Sequence, residues 1–108
     1  MFSVNYKTKK EANEAGNKAM VGLEESWKLV VSEDTGSDKR QYFIQYLNSS
    51  KEVEVQESRL ENGSIRFFAY QNNSDLNGEG KTIAEALKNL KKSIMARANY
   101  YKEMADKI

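Results

Sequence analysis

The sequence predicts one α+β domain over residues 1–108, in which an antiparallel sheet of three or four strands lies between two amphipathic helices (α-β-β-β-β-α). Apolar and polar residues alternate between residues 27 and 70, as they do in half-buried strands. Apolar residues recur at helical spacing on both sides of that region. The connections between the strands are short, which favours a meander, and 108 residues is an ordinary length for one domain.

The first helix is predicted to begin after Thr8 and to end near residue 24. Thr8 and Glu11 have the spacing of a capping box, which satisfies backbone amides that the first helical turn leaves without partners. The apolar positions that follow are mostly small: Ala12, Ala15, Ala19 and Leu23. Because small side chains allow a helix to approach a sheet closely, we expect tight packing here. Gly16 and Gly22 each weaken the helix by about 1 kcal/mol relative to alanine.

Four strands are predicted: one from Trp27, one over Gln41–Leu47, one around Val53 and Val55, and one over Ile65–Tyr70. The second has apolar residues on both faces and is predicted to be central. Because Glu52 and Glu54 lie on one face of the third strand, that face is predicted to be solvated. The strand is also predicted to lie at an exposed edge of the sheet, where carboxylates oppose aggregation.

The predicted connections are polar. Residues 34–40 and 71–81 are expected to be loops, and residues 48–50 a turn. Asn62-Gly63 predicts a hairpin with a type I′ turn, which needs positive φ at both central residues. Residues 1–6 are a candidate for a short edge strand.

The last helix is predicted to begin after Thr82, where Thr82 and Glu85 form a second capping-box pattern. Its apolar stripe is regular and extends to the last residue: Ile83, Leu87, Leu90, Ile94, Ala98, Tyr101, Ala105 and Ile108. A continuous helix of this length spans about 40 Å, whereas a six-residue strand spans about 20 Å. The end of the helix is therefore expected to project past the sheet.

The projecting end carries the predicted partner-binding residues Tyr100, Tyr101, Met104 and Ile108. An apolar stripe with nothing beneath it favours contact with a partner, either another protein or a second copy of the chain in a homodimer. Two alternatives remain open: a break near Asn99, or a frayed end whose Tyr and Ile side chains rest on the first helix.

Composition excludes several classes of site. The chain has no cysteine and no histidine, which removes thiolate ligands, the commonest transition-metal ligand and the commonest general base. We therefore expect no catalytic residues, no metal, no cofactor and no enzymatic activity. Asp75-Leu76-Asn77-Gly78 is similar to the start of a calcium-binding loop, but the twelfth position, which needs a bidentate acid, is Ala86. The sequence has no apolar run of membrane-spanning length, and a cytoplasmic protein is expected.

The net charge of +1 is unevenly distributed. Residues 81–108 carry seven basic and three acidic side chains, whereas residues 24–61 carry five basic and nine acidic ones. The candidate residues for nucleic-acid or phosphate binding are Lys81, Lys88, Lys91 and Lys92. They are interpreted either as a phosphate-contacting ridge or as the ordinary solvated face of an amphipathic helix.

Two local resemblances lie within residues 61–94. Gly78-x-Gly80-Lys81-Thr82, followed by a helix with Lys88, Lys91 and Lys92, resembles the start of the second helix of double-stranded-RNA-binding domains. The segment from Asn62-Gly63 through Gly78-x-Gly80-x-Thr82 to Glu85-Ala86-Leu87-x-Asn89 is similar to the strand-to-helix segment of HicB-type antitoxins. The first resemblance implies RNA binding and the second implies a protein partner.

Two functions are therefore expected. The first is a small non-enzymatic binding module that acts through a protein partner, as inhibitors, antitoxins and phage anti-defence proteins do. The second is an RNA- or nucleotide-binding domain that uses the basic C-terminal helix.

Overall fold

The computed structural model describes residues 2–34, 41–49 and 52–108. The elements follow in the order β1 (Phe2–Ser3), α1 (Lys9–Ala19), β2 (Trp27–Asp34), β3 (Gln41–Asn48), β4 (Val53–Arg59), β5 (Ile65–Gln71), β6 (Asn77–Gly80) and α2 (Ile83–Asp106). Most of the predicted connection at 34–40 and the end of the predicted turn at 48–50 lie outside the described residues.

The described strands form one antiparallel sheet in the order β2-β3-β4-β5-β6, and β1 pairs with β4. The predicted α+β class and meander are thus confirmed. The expectations for β4 and for residues 71–81 were wrong. β4 is an interior strand between β3 and β5, so Glu54 does not protect a sheet edge. The predicted loop 71–81 contains β6, which is the actual edge strand beside β5.

The N-terminal segment enters the sheet where β3 leaves β4. Pairing between β3 and β4 ends at Gln45 and Gln56. Beyond that point β1 pairs with Ser58 and Arg59 of β4, and Tyr6 forms a bridge with Tyr42 of β3. The predicted strand within residues 1–6 is therefore present, but it lies alongside β4 rather than at an edge.

Both helices pack against the same face of the sheet. The buried core that they cover consists of Ala12, Trp27, Ile44, Tyr46, Val55, Ala69, Ile83, Ala86 and Leu90. The register places Leu29, Tyr46, Val55 and Ala69 side by side across four strands of this face. The alternating apolar residues of the sequence therefore form a continuous floor beneath the helices.

α1 begins as predicted, because the Thr8 hydroxyl accepts a hydrogen bond of 3.1 Å from the backbone N–H of Glu11. It ends at Ala19, earlier than the expected residue 24, and Gly22 has a φ of 88° that no helix allows. Gly16 packs directly on Leu29, where an added Cβ would overlap the leucine side chain. The small stripe therefore does bring α1 close to β2.

α2 is placed by two glycines of β6. A Cβ at Gly78 would overlap backbone atoms of Ala86 and Leu90, and one at Gly80 would overlap the backbone of Ala86. Glycine at both positions lets the helix lie directly on the strand. Thr82 caps α2 by accepting a 3.1 Å hydrogen bond from the N–H of Glu85, which confirms the second predicted cap.

The predicted hairpin between β4 and β5 is present, but its turn is not type I′. The Gly63 N–H donates to the carbonyl of Leu60, and the Leu60 N–H donates to the carbonyl of Ser64, both at 2.9 Å. Within this turn positive φ occurs at Gly63 (86°) and not at Asn62. This is the longer hairpin loop in which a single left-handed glycine forms a bulge.

Candidate functional site

α2 is one unbroken helix through Asp106, so the alternative of a break near Asn99 is excluded. Its first half packs on β5 and β6, where Ile83, Ala86 and Leu90 are buried. Every side chain from Ala98 to the end of the chain is exposed. The molecule is correspondingly elongated, with extents of 57 × 30 × 24 Å. We call residues 98–108 the outer segment, and its predicted projection past the sheet is confirmed.

The outer segment exposes four large apolar side chains. Tyr100 is 58% exposed, Tyr101 59%, Met104 45%, and Ile108 is fully exposed at 105%. Several large apolar side chains exposed close together often mark an interaction surface. The four predicted partner-binding residues are therefore accessible in this chain, and the alternative in which their side chains rest on α1 is excluded.

Residues on one side of α2 form a line at spacings of three and four. We call this line the groove-side stripe; it consists of Ala84, Leu87, Lys91, Ile94, Ala98, Tyr101, Ala105 and Ile108. The first four of these residues line an open cavity beside the helix. The last four continue the same side of the helix into the outer segment. Met104 lies on the flank of this stripe, whereas Tyr100 lies one turn after Ala96 on the opposite side of the helix.

The cavity beside α2 has a volume of about 450 Å³. Its other walls come from the turn after α1 and from the sheet, through Leu23, Glu24, Trp27 and Val53. A second cavity of ≈ 660 Å³ lies between the end of α1 and the start of α2. The two cavities share Gly22, Leu23 and Ala84, so an open apolar groove separates the two helices.

A polar cluster lies at the far end of this groove. Glu57 of β4 accepts a hydrogen bond of 2.7 Å from the hydroxyl of Tyr6 and one of 2.6 Å from the hydroxyl of Tyr46. Burial, and then the hydrogen bond to Glu57, raises the pKa of both tyrosines well above the usual value. Both hydroxyls therefore remain neutral donors across the physiological pH range.

The four candidate lysines are all exposed, and three of them cluster. Lys88, Lys91 and Lys92 lie within about 100° of arc on α2, since each residue turns the helix by about 100°. Glu85 lies on the same side, one turn before Lys88. Lys81 precedes the helix and lines the larger cavity, together with Lys18.

The Gly-x-Gly pattern before α2 has a packing role in this fold. Gly78 and Gly80 are the two positions where α2 lies directly on β6.

Asp75, the first acid of the pattern similar to a calcium-binding loop, is bound by the Arg97 guanidinium at 2.5 Å, and this hydrogen bond lowers the pKa of the Asp75 carboxyl group. Within residues 2–34, 41–49 and 52–108, no three His, Cys, Asp or Glu side chains come together as a metal site would require.

Sequence reasoning missed the groove and the Glu57 cluster. Glu57 is one of several acids in an alternating strand, and only the pairing of β3, β4 and the N-terminal segment brings Tyr6 and Tyr46 to it. On the sheet face opposite Ala69, Phe68 and Tyr70 stack with ring centroids 6.3 Å apart, and Phe68 is buried.

Comparison with protein-family models, curated proteins and solved structures finds no match for this chain. Among the described residues, no helix has the length and apolarity that a membrane span requires. The function is inferred below from the surfaces of the α+β fold.

Proposed function

We propose that this chain is a small, non-enzymatic, cytoplasmic binding module that acts by occupying a protein partner, as an inhibitor, an antitoxin or a phage anti-defence protein does. The outer segment of α2 is the contact surface. The single observation that carries the proposal is the continuation of the groove-side stripe past the sheet, where all of its side chains are exposed.

The outer segment has the pattern of a helix that docks through one face. Tyr101, Met104 and Ile108 are spaced at three and four residues, the arrangement with which amphipathic helices fill an apolar groove. Tyrosine is also among the residues that contribute most to binding energy at interfaces. Because the helix is already formed, little conformational entropy is lost when it binds.

Site-specific photo-cross-linking tests this proposal. A benzophenone amino acid at Tyr101 should form covalent adducts with a protein in cells that produce the chain. The same group at Ala96, which is exposed on the opposite side of α2, should form few. Equal adduct yields at the two positions would contradict the proposal, because they would show that the outer segment has no preferred contact.

A second candidate function is RNA or nucleotide binding through Lys81, Lys88, Lys91 and Lys92. It is favoured by the clustering of three exposed lysines on one side of α2. The double substitution Lys88→Glu/Lys92→Glu should then weaken retention of RNA at low salt, while Lys10→Glu on α1 should not. Unchanged retention in the double variant would rule this function out.

A further inference from the structure

We propose that the partner of the outer segment is a second copy of the same chain, bound through an antiparallel, two-fold symmetric contact between the groove-side stripes of two α2 helices. This inference rests on the proposed function and names its partner. In the dimer, the outer segment of each protomer lies against the inner half of α2 of the other, beside the groove.

The stripe is complementary to itself when it is reversed. A two-fold axis on the stripe side of α2, at the height of residue 96 along the helix, places residue 96+n of one helix opposite residue 96−n of the other. The facing pairs are then Ile94 with Ala98, Leu87 with Ala105, Ala84 with Ile108, and Lys91 with Tyr101. Three pairs match a large side chain with alanine, and the fourth lays a lysine on an aromatic ring, a favourable cation–π contact.

The surroundings of the stripe allow this contact on both halves. The inner half borders an open cavity on that side, and Leu87 and Ile94, which line it, are only half-buried. The outer half is accessible along its length, since every side chain from Ala98 to Ile108 is exposed. A symmetric contact covers the inner and the outer half of the stripe at once, because the outer half of each protomer lies on the inner half of the other. The facing stretch, from Ala84 to Ile108, is about 36 Å long.

Charge and helix polarity are compatible with self-association. Residues 99–108 carry Lys102 and Lys107 against Glu103 and Asp106, so the outer segment has no net charge that would repel a second copy. The antiparallel arrangement also brings the C-terminal end of each α2, with its partial negative charge, to the N-terminal end of the other. Lys88 and Lys102 lie on one flank of the stripe, so the dimer brings Lys88 of one protomer near Lys102 of the other. Salt would screen the repulsion between these two charges.

Sedimentation velocity from about 1 to about 200 μM tests the dimer directly. The full chain should sediment as a dimer at the upper concentrations. Ala105→Glu should raise the dimer Kd at least about tenfold, because it buries a carboxylate against Leu87. Ala96→Glu introduces the same charge on the opposite side of α2 and should leave Kd unchanged. Both alanines are exposed, so neither substitution disturbs the fold of the protomer. A chain that is monomeric throughout, or equal effects of the two substitutions, would overturn the inference.

Cross-linking separates failure of this inference from failure of the proposed function. With the benzophenone at Tyr101, a symmetric dimer gives an adduct of twice the chain mass, mapped by mass spectrometry to residues near Lys91. Adducts only with a different protein would overturn the dimer and leave the binding-module proposal standing. Adduct yields no higher than those from Ala96 would overturn both.

Discussion

The hydroxyl of Tyr46 donates a 2.6 Å hydrogen bond to Oε1 of Glu57, and this contact joins β3 to β4 just where their backbone pairing ends. Tyr6 donates to Oε2 of the same carboxylate at 2.7 Å. Three chain segments that are distant in sequence therefore converge on one acid. Tyr46 is fully buried, whereas Tyr6 and Glu57 are partly buried.

Tyr46→Phe should lower the free energy of unfolding by about 1.5–3 kcal/mol, because the carboxylate of Glu57 loses a charge-assisted hydrogen bond. Urea denaturation monitored by circular dichroism measures the change. Tyr100→Phe is the matched control, since it removes an exposed hydroxyl and should change stability by less than about 0.5 kcal/mol. Equal effects of the two substitutions would show that the Glu57 cluster is not stabilising.

Stability should fall at alkaline pH for the same reason. The folded-state pKa of Tyr6 and of Tyr46 lies above the ordinary value of 10.0, so the folded protein holds these protons more tightly than the unfolded chain. The contribution of the two tyrosines to the free energy of unfolding is therefore complete below about pH 10 and is lost as the pH rises through their folded-state pKa values. Urea unfolding measured between about pH 9 and about pH 12 should show this loss. The double variant Tyr6→Phe/Tyr46→Phe should show a shallower decline, and an identical decline would contradict the assignment.

Gly78→Ala should destabilise the fold by about 1–3 kcal/mol or more, because the new methyl group has to displace the α2 backbone. Thermal unfolding measures the loss. Asn77→Ala changes the neighbouring, exposed position of β6 and serves as the control. If Gly78→Ala were as stable as Asn77→Ala, the close approach of α2 to β6 would be wrong.

Removal of residues 99–108 should leave the protomer folded. None of these side chains is buried, so dilute full-length and truncated chains should differ in unfolding free energy by less than about 1 kcal/mol. At higher concentration the Tm of the full chain should rise, because dimerisation stabilises the folded state, while that of the truncated chain should not. A large loss of stability on truncation at low concentration would show that the outer segment packs within its own protomer.

The helices were the most predictable part of this fold, because their signals are local. Thr8 and Thr82 each mark a helix start through a hydrogen bond to an amide three residues on. The period of the apolar stripe and the length of α2 were sufficient to predict an outer segment beyond the sheet. The exposed residues Tyr101 and Ile108 could be found in this way, since their position depends only on helix geometry.

The remaining features depend on contacts between distant segments. β6 contains Asn77, Gly78, Glu79 and Gly80, none of which has an apolar side chain or a preference for strands. It forms a strand because α2 covers it closely, which glycine permits. The groove is equally invisible in the sequence, because it results from the separation of two helices on a shared sheet.

The insertion of the N-terminal segment beside β4 bears on the order of folding. Every other strand pairing joins neighbours in sequence, so the meander can grow hairpin by hairpin with little loop entropy to overcome. The Tyr6–Glu57 contact instead spans 51 residues, and we expect it to close after the rate-limiting step. Tyr6→Phe should accordingly accelerate unfolding and leave the refolding rate unchanged in stopped-flow experiments. The N-terminal segment would then pair after the transition state of folding, so it determines how long the folded chain persists and not how fast it forms.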